Sequence, residues 1–312
     1  MISSFFGKTK PINYIILLVF LFGFYWIVHL YLFQRRYGPD QLLGQAVVLG
    51  CLMFTIFLVD FIVKRNKLSR TNSLAPMYYT LLIVVFPEVL IDPNGIFCSF
   101  FLLLSIRRIL SLRSLKDIKL KLFDATLWIM VASLFYEWAI LYLILVFVAI
   151  YFYDAKNIRN WLIPFVAAIT FALISIAILV LRNDPYSLFD HYDFNYDFNW
   201  TLFFDSGKSL ILVVYVVLVL LSGFLAYLKL GTIGVGKLVT MRLVLLLFIL
   251  GSVIYLLNST ADNHPILITF FPAMVFITTY VESIKKDRIK EMVLLVSVAV
   301  PFFVLITHIL LK

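Results

Sequence analysis

The most restrictive feature of this sequence is an apolar run from Leu122 to Tyr153 that is too long for one membrane crossing. A transmembrane helix needs about 20 residues, and the only charged side chains in this run are Asp124 and Glu137. Loops rich in lysine and arginine favour the cytoplasmic side, and such residues flank the run at both ends: Lys119, Lys121, Lys156 and Arg159. The run is therefore predicted to enter the membrane and return as two short helices, with a turn near residues 135–138.

That turn would place Glu137 at membrane depth. A non-helical turn is tolerated there only where protein or a water-filled cavity surrounds it, and an ionisable residue at such depth suggests a functional site. Two interpretations of Glu137 stay open. It either binds a substrate, or it is a structural carboxylate held by Tyr136, Trp138 or backbone amides.

Composition places the whole chain in a lipid environment. Of its 312 residues, 63% are hydrophobic and only 14% are charged, and the mean hydropathy is +1.04, whereas soluble domains carry about 25% charged residues. Cys51 and Cys98 both lie in apolar runs, which favours buried free thiols over a disulfide or a metal site. The net charge of the chain is +9. In a membrane protein such an excess of basic residues reflects the cytoplasmic loops and does not indicate nucleic-acid binding.

The alternation of apolar runs and basic loops predicts an all-α, polytopic membrane protein with about eleven membrane-embedded segments. Lys8 and Lys10 place the N-terminus in the cytoplasm, and the C-terminus then lies outside, across a bacterial inner membrane. Of 26 basic residues, this topology leaves only five outside: Arg35, Arg36, Arg182, Lys208 and Lys312. We expect a transmembrane module at 1–181, an acidic aromatic outer loop at 182–207 and further transmembrane helices at 208–312. The basic segment 107–121 is expected to form an amphipathic helix on the cytoplasmic surface.

Candidate catalytic residues are acids on the predicted outer side. Glu88 and Asp92 would share one face if a helical turn persists between them, and paired carboxylates serve as a general base or bind a divalent cation. Asp40 is a third candidate. Arg35 and Arg36 break the charge rule, and they are either a phosphate-binding pair or residues that a short outer turn tolerates.

The outer loop from Arg182 to Trp200 is acidic and aromatic. Tyr192 and Trp200 are candidate substrate-binding residues, since aromatic rings can stack on sugars, and the loop is expected on the outer face, partly covering the mouth of an outward cavity. The spacing of His191 and its neighbouring aspartates matches no metal motif. The alternative is a loop resting at the membrane interface, where Tyr and Trp are favoured.

Two resemblances follow from longer stretches of sequence. The segments MISSFFGKTKPINY, ASLFYEWAILYL and NIRNWLIPFV resemble an uncharacterised family of bacterial inner-membrane proteins, a domain of unknown function. The segment PEVLIDPNGIFCSFFLLLSIRRIL, followed by a half-length hairpin, resembles the N-terminal membrane module of GT-C-type glycosyltransferases. That resemblance implies transfer of a sugar from a polyprenyl-phosphate carrier on the outer face, with a catalytic carboxylate in the first outer loop. Asp40 is the acid at the matching position.

The leading functional expectation is an inner-membrane protein that handles envelope lipids or glycans through an outward-facing cavity. The alternative is a GT-C-like glycosyltransferase that uses a polyprenyl-phosphate-linked sugar, and a second alternative, based on Glu137, is an ion-coupled transporter. No cofactor is expected, except a divalent cation if the protein is a glycosyltransferase. The expected partners are the lipid bilayer, a polyprenyl-phosphate lipid and other subunits of a membrane complex.

Overall fold

The chain folds into a bundle of helices. The computed structural model describes residues 5–183, 187, 191–192, 194, 206–230, 235–258 and 265–310, and no strand occurs within these ranges. The helices are α1 Pro11–Ile27, α2 Pro39–Arg65, α3 Leu74–Val85, α4 Pro93–Ser111, α5 Ile118–Ala132, α6 Leu143–Asp154, α7 Ile158–Leu181, α8 Ser206–Leu230, α9 Val235–Asn258, α10 Phe270–Ser283 and α11 Asp287–Leu310. Shorter turns are a π turn at Val28–Leu32 and 3-10 turns at Pro87–Ile91, Leu112–Ser114, Glu137–Tyr142 and Pro265–Thr269.

Within the described residues, nine helical stretches are long and apolar enough to cross a membrane. In the apolar windows of α7 and α11, only 17% and 11% of residues are buried inside the protein. Exposing so much apolar surface to water would be strongly unfavourable. The protein is therefore a multi-pass membrane protein in a lipid bilayer, whereas the total of eleven embedded segments stays a prediction because α3 is only 12 residues long.

The predicted break in the run from Leu122 to Tyr153 is confirmed. Helix α5 ends at Ala132 after 15 residues, Tyr136 adopts an extended conformation, and α6 begins only at Leu143 after a 3-10 turn. Glu137 is the first residue of that 3-10 turn. The depth of the break in the bilayer stays a prediction.

The prediction of an amphipathic surface helix at residues 107–121 is wrong. Helix α4 continues to Ser111, a 3-10 turn follows, and Leu115 and Asp117 adopt left-handed backbone conformations with φ of 54° and 50°. Left-handed residues cannot continue a right-handed helix. The basic segment is consequently a sharp corner between two helices of the bundle.

The short helix α3 lies at the centre of the bundle. Every residue from Leu74 to Val84 is buried, as expected for a helix that is apolar on all sides. Its neighbours include α2, α10 and α11, so helices from the C-terminal third of the chain cover an element of the first third. The predicted module boundary at residue 181 stays a prediction, but packing crosses it.

The bundle has two chemically different ends. The one we call the basic end carries the clusters of lysine and arginine at residues 64–70, 107–121, 156–159 and 285–290. At this end Asn13 of α1 donates to Ser73 Oγ at 3.2 Å, and Glu282 of α10 accepts from the backbone N–H of Arg70 at 3.0 Å. The opposite one, which we call the turn end, comprises residues 33–38, 87–92 and 133–138.

Candidate functional site at the turn end

The centre of the turn end is the 3-10 turn Pro87–Ile91, which two prolines create. A residue before proline is pushed out of the helical region, and Phe86 and Asp92, which precede Pro87 and Pro93, are both non-helical, with ψ of 71° and 90°. The 3-10 turn between them is therefore not continuous with α3 or α4. Its backbone carbonyl groups are therefore available to accept hydrogen bonds from side chains of other segments.

Asp92 joins this turn to the broken hairpin. It is 3% exposed and caps α4, since Oδ1 accepts a hydrogen bond from the backbone N–H of Gly95 at 3.0 Å. Its Oδ2 accepts a short hydrogen bond from the Tyr136 hydroxyl. Tyr136 immediately precedes Glu137, so Asp92 fixes the position of the hairpin turn.

The paired face expected for Glu88 and Asp92 does not form. Residues 87–91 make a 3-10 turn, which has about three residues per turn, so positions four apart point in different directions. Glu88 is half-buried, as is Glu137. Each lies in the first turn of its own 3-10 segment. Their catalytic and substrate-binding roles stay predictions.

His29 is a functional candidate that the sequence did not reveal. It is 1% exposed and belongs to the π turn at the end of α1, and π turns are frequent at functional sites. Its Nε2 lies 3.0 Å from the carbonyl oxygen of Leu90, and its Nδ1 contacts the Tyr37 hydroxyl. A carbonyl only accepts, so Nε2 carries the hydrogen, and in the neutral imidazole Nδ1 then accepts from the Tyr37 hydroxyl.

The ring of His29 is also held from the side by Tyr25. The two rings stack with centroids 4.2 Å apart, and the Tyr25 hydroxyl donates to Gln45 Oε1 at 2.5 Å. The imidazole is thus fixed on three sides by α1, the segment before α2 and the Pro87–Ile91 turn. No sequence motif identifies this arrangement, because it depends on a π turn that spacing does not predict.

Arg35 and Arg36 lie in the exposed segment that connects the π turn to α2. The backbone N–H of Arg35 donates to the His29 carbonyl at 2.9 Å, and its Nη1 makes a long hydrogen bond of 3.5 Å to the Ile91 carbonyl. Burial raises the pKa of the Tyr37 hydroxyl, and the nearby Arg35 charge partly offsets this. Arg35 therefore touches the central turn through one long hydrogen bond, and both arginines are exposed.

Asp40 is exposed in the first turn of α2. A carboxylate there interacts favourably with the helix dipole, and it forms no ion pair within the described residues. The structure thus brings Arg35, Asp92 and the residue before Glu137 to one central turn. No described contact joins Asp40 to them.

Residues of the acidic aromatic loop lie on the broken hairpin. His191 Nε2 donates to the Ser133 carbonyl at 2.8 Å. The Tyr192 hydroxyl lies 2.6 Å from Ser133 Oγ, and burial raises its pKa, with a smaller opposing effect of that hydrogen bond. Phe194 packs edge-on against Trp138. Trp200, the other aromatic candidate of this loop, lies outside the described residues.

Compared with known proteins, the chain matches no family model, no curated protein and no solved structure. The two resemblances noted in the sequence therefore stay predictions.

Proposed function

We propose that this protein binds the phosphate of a polyprenyl-linked lipid at the turn end and thereby handles an envelope lipid or glycan. The observation that carries the proposal is the exposed pair Arg35 and Arg36, one of which touches the central turn. Guanidinium groups bind phosphate bidentately, which a lysine does less well. The backbone hydrogen bond from Arg35 to the His29 carbonyl fixes the start of the Arg35 side chain, which reduces the conformational freedom that is lost on binding.

The proposed orientation of the protein in the membrane follows from the distribution of its basic residues. Loops rich in lysine and arginine stay in the cytoplasm, so the basic end would face the cytoplasm of a bacterial cell and the turn end would face outward. Arginines that remain exposed on the outward side are exceptions to this rule. A role in holding an anionic ligand explains why they are there.

Binding is tested with the purified protein in nanodiscs. We expect polyprenyl phosphate to bind at least about tenfold more weakly to the double variant Arg35→Ala, Arg36→Ala than to the wild type. Arg182→Ala is the matched control, since Arg182 is also exposed and follows α7 at the turn end. Equal binding by the double variant, or equal binding of the uncharged polyprenol, would refute the proposal.

A second candidate function is glycosyl transfer from such a carrier. It is favoured by the exposed position of Asp40, five residues after Arg35, where a carboxylate could take a proton from an acceptor hydroxyl. Asp40→Asn should then abolish transfer from a lipid-linked sugar and leave lipid binding unchanged. Undiminished transfer by this variant would exclude Asp40 as the base.

A further inference from the structure

A buried histidine contacts the segment that carries the exposed arginine pair. His29 is 1% exposed, and its carbonyl oxygen accepts a hydrogen bond from the backbone N–H of Arg35 at 2.9 Å. Its side chain contacts the Tyr37 hydroxyl through Nδ1. Tyr37 is half-buried and follows the two arginines in the chain. One residue thus holds both the backbone of Arg35 and the hydroxyl of Tyr37.

The Tyr37 hydroxyl lies beside the Arg35 guanidinium. Burial raises the pKa of this hydroxyl, whereas the charge of Arg35 and a hydrogen bond with it lower that pKa. The guanidinium reaches the central turn only through its long hydrogen bond of 3.5 Å to the Ile91 carbonyl. An anion that binds this guanidinium therefore comes within reach of the Tyr37 hydroxyl.

The single hydrogen of the Tyr37 hydroxyl is already in use. His29 Nε2 lies 3.0 Å from the Leu90 carbonyl, which only accepts, so the neutral ring carries its hydrogen on Nε2 and its Nδ1 accepts from Tyr37. In this state Tyr37 has no hydrogen to donate to a phosphate. Protonation of Nδ1 reverses this one hydrogen bond, because both ring nitrogens then donate. The Tyr37 oxygen becomes the acceptor, and its hydrogen is released.

We propose that Tyr37 is a third donor to the phosphate bound by Arg35 and Arg36, and that His29 is the positioning residue that releases the Tyr37 hydrogen when the ring takes up a proton. This inference rests on the phosphate binding proposed above and adds its regulation by pH. The proton comes from water, and the positive charge that it places on the ring also attracts the phosphate. Acid therefore strengthens binding and, by linkage, binding takes up a proton.

The elements around His29 carry several other charged or titratable side chains. These are Tyr25 on α1, Arg35, Arg36 and Tyr37 before α2, Asp40 in α2, and Glu88 and Asp92 at the central turn. Tyr25 donates its hydroxyl hydrogen to α2, and Asp92 accepts from α4 and from the broken hairpin. Arg35 acts on the ring through its charge. Its repulsion opposes a second positive charge in the ligand-free protein, and a bound phosphate offsets that repulsion.

The test uses the full-length protein in detergent and farnesyl methyl phosphate, an isoprenyl phosphodiester whose single negative charge does not titrate in the range of histidine. We expect the wild type to bind it at least about fivefold more tightly at about pH 5.5 than at about pH 8, because one charge-assisted donor is added. Calorimetry in two buffers with different heats of ionisation should show proton uptake on binding. Equal affinity at both pH values would overturn the proposal.

Variants assign the pH dependence to the two residues. His29→Gln cannot take up a proton, so it should bring the ratio of the two affinities close to one and abolish proton uptake. Tyr37→Phe removes the donor and should lower the affinity in acid, so that the ratio falls below that of the wild type. His191→Gln is the matched control and should keep the full ratio, since His191 also donates from Nε2 to a carbonyl, that of Ser133 at the same end.

Thermal unfolding checks that each variant is folded. Should His29→Gln not fold, Tyr37→Phe and the proton uptake of the wild type still decide. A pH dependence that His29→Gln and Tyr37→Phe leave as large as in the wild type would show that carboxylates titrate instead, and would overturn the roles of both residues.

The double variant Arg35→Ala, Arg36→Ala tells the phosphate site apart from its regulation. If this variant binds the phosphodiester weakly while the wild type binds it equally well at both pH values, the phosphate site stands and the regulation by His29 is refuted. If the wild type does not bind the phosphodiester at either pH, or the double variant binds it as tightly as the wild type, both proposals are refuted.

Discussion

The hydrogen bond from Tyr136 to Asp92 is expected to hold the broken hairpin in place, and Tyr136→Phe removes it without changing the ring. Both residues are buried, with exposed fractions of 4% and 3%. A hydrogen bond to a charged group contributes about 1.5–3 kcal/mol, and its loss leaves a buried carboxylate with one donor fewer. We therefore expect a loss of about 2 kcal/mol in the free energy of unfolding, a factor of up to about 30 in the ratio of folded to unfolded protein.

The assay is denaturant unfolding in detergent micelles, followed by tryptophan fluorescence. Tyr151→Phe is the matched control, because Tyr151 lies on α6 of the same hairpin but is 66% exposed. It should leave the free energy of unfolding nearly unchanged.

A double-mutant cycle isolates the contact itself. Asp92→Ser keeps a residue that can cap α4, but its side chain is too short to reach Tyr136. In that background Tyr136→Phe should destabilise less than it does in the wild type, since contacting residues show non-additive changes. The reasoning fails if Tyr136→Phe is no worse than the Tyr151 control, or is equally harmful in both backgrounds.

Three further substitutions test other contacts by thermal unfolding in detergent. Glu282→Gln should destabilise by about 2 kcal/mol, because this buried carboxylate accepts hydrogen bonds from the 70–72 loop, and a melting temperature equal to that of the wild type would contradict this role. Gly251→Ala should destabilise by about 1 kcal/mol or more, since the new methyl would lie 3.1 Å from a threonine methyl, whereas Gly44→Ala, which meets open space, should not. Asp124→Asn breaks a partly exposed ion pair of 2.7 Å with an arginine, so its effect should stay below about 1 kcal/mol and diminish with added salt.

Large-scale features of this fold could be predicted from the sequence because they depend on hydrophobicity and charge summed over many residues. Basic residues on both sides of one long apolar run were enough to predict the break that the structure has before Glu137. The geometry of the candidate site was harder to predict from the sequence than the fold. Glu88 and Asp92 were expected on one face of an α-helical turn, but the prolines on either side impose a 3-10 turn instead.

His29 shows a second reason why the candidate site is harder to predict than the fold. Its partners are Tyr37 and the carbonyl of Leu90, which is 61 residues away in the sequence. No local pattern encodes a contact at that separation. The corner after α4 was missed for a related reason, since Leu115 is not a residue type that a left-handed conformation normally favours.

The central position of α3 has a consequence for the biosynthesis of this protein. A helix of 12 residues is about 18 Å long, well short of the roughly 30 Å hydrocarbon thickness, so α3 is a weak substrate for insertion by itself. Two of its packing partners, α10 and α11, are synthesised almost 200 residues later. We expect α3 to reach its final position only after translation is nearly complete, so that chains lacking the last two helices become targets for membrane quality-control proteases.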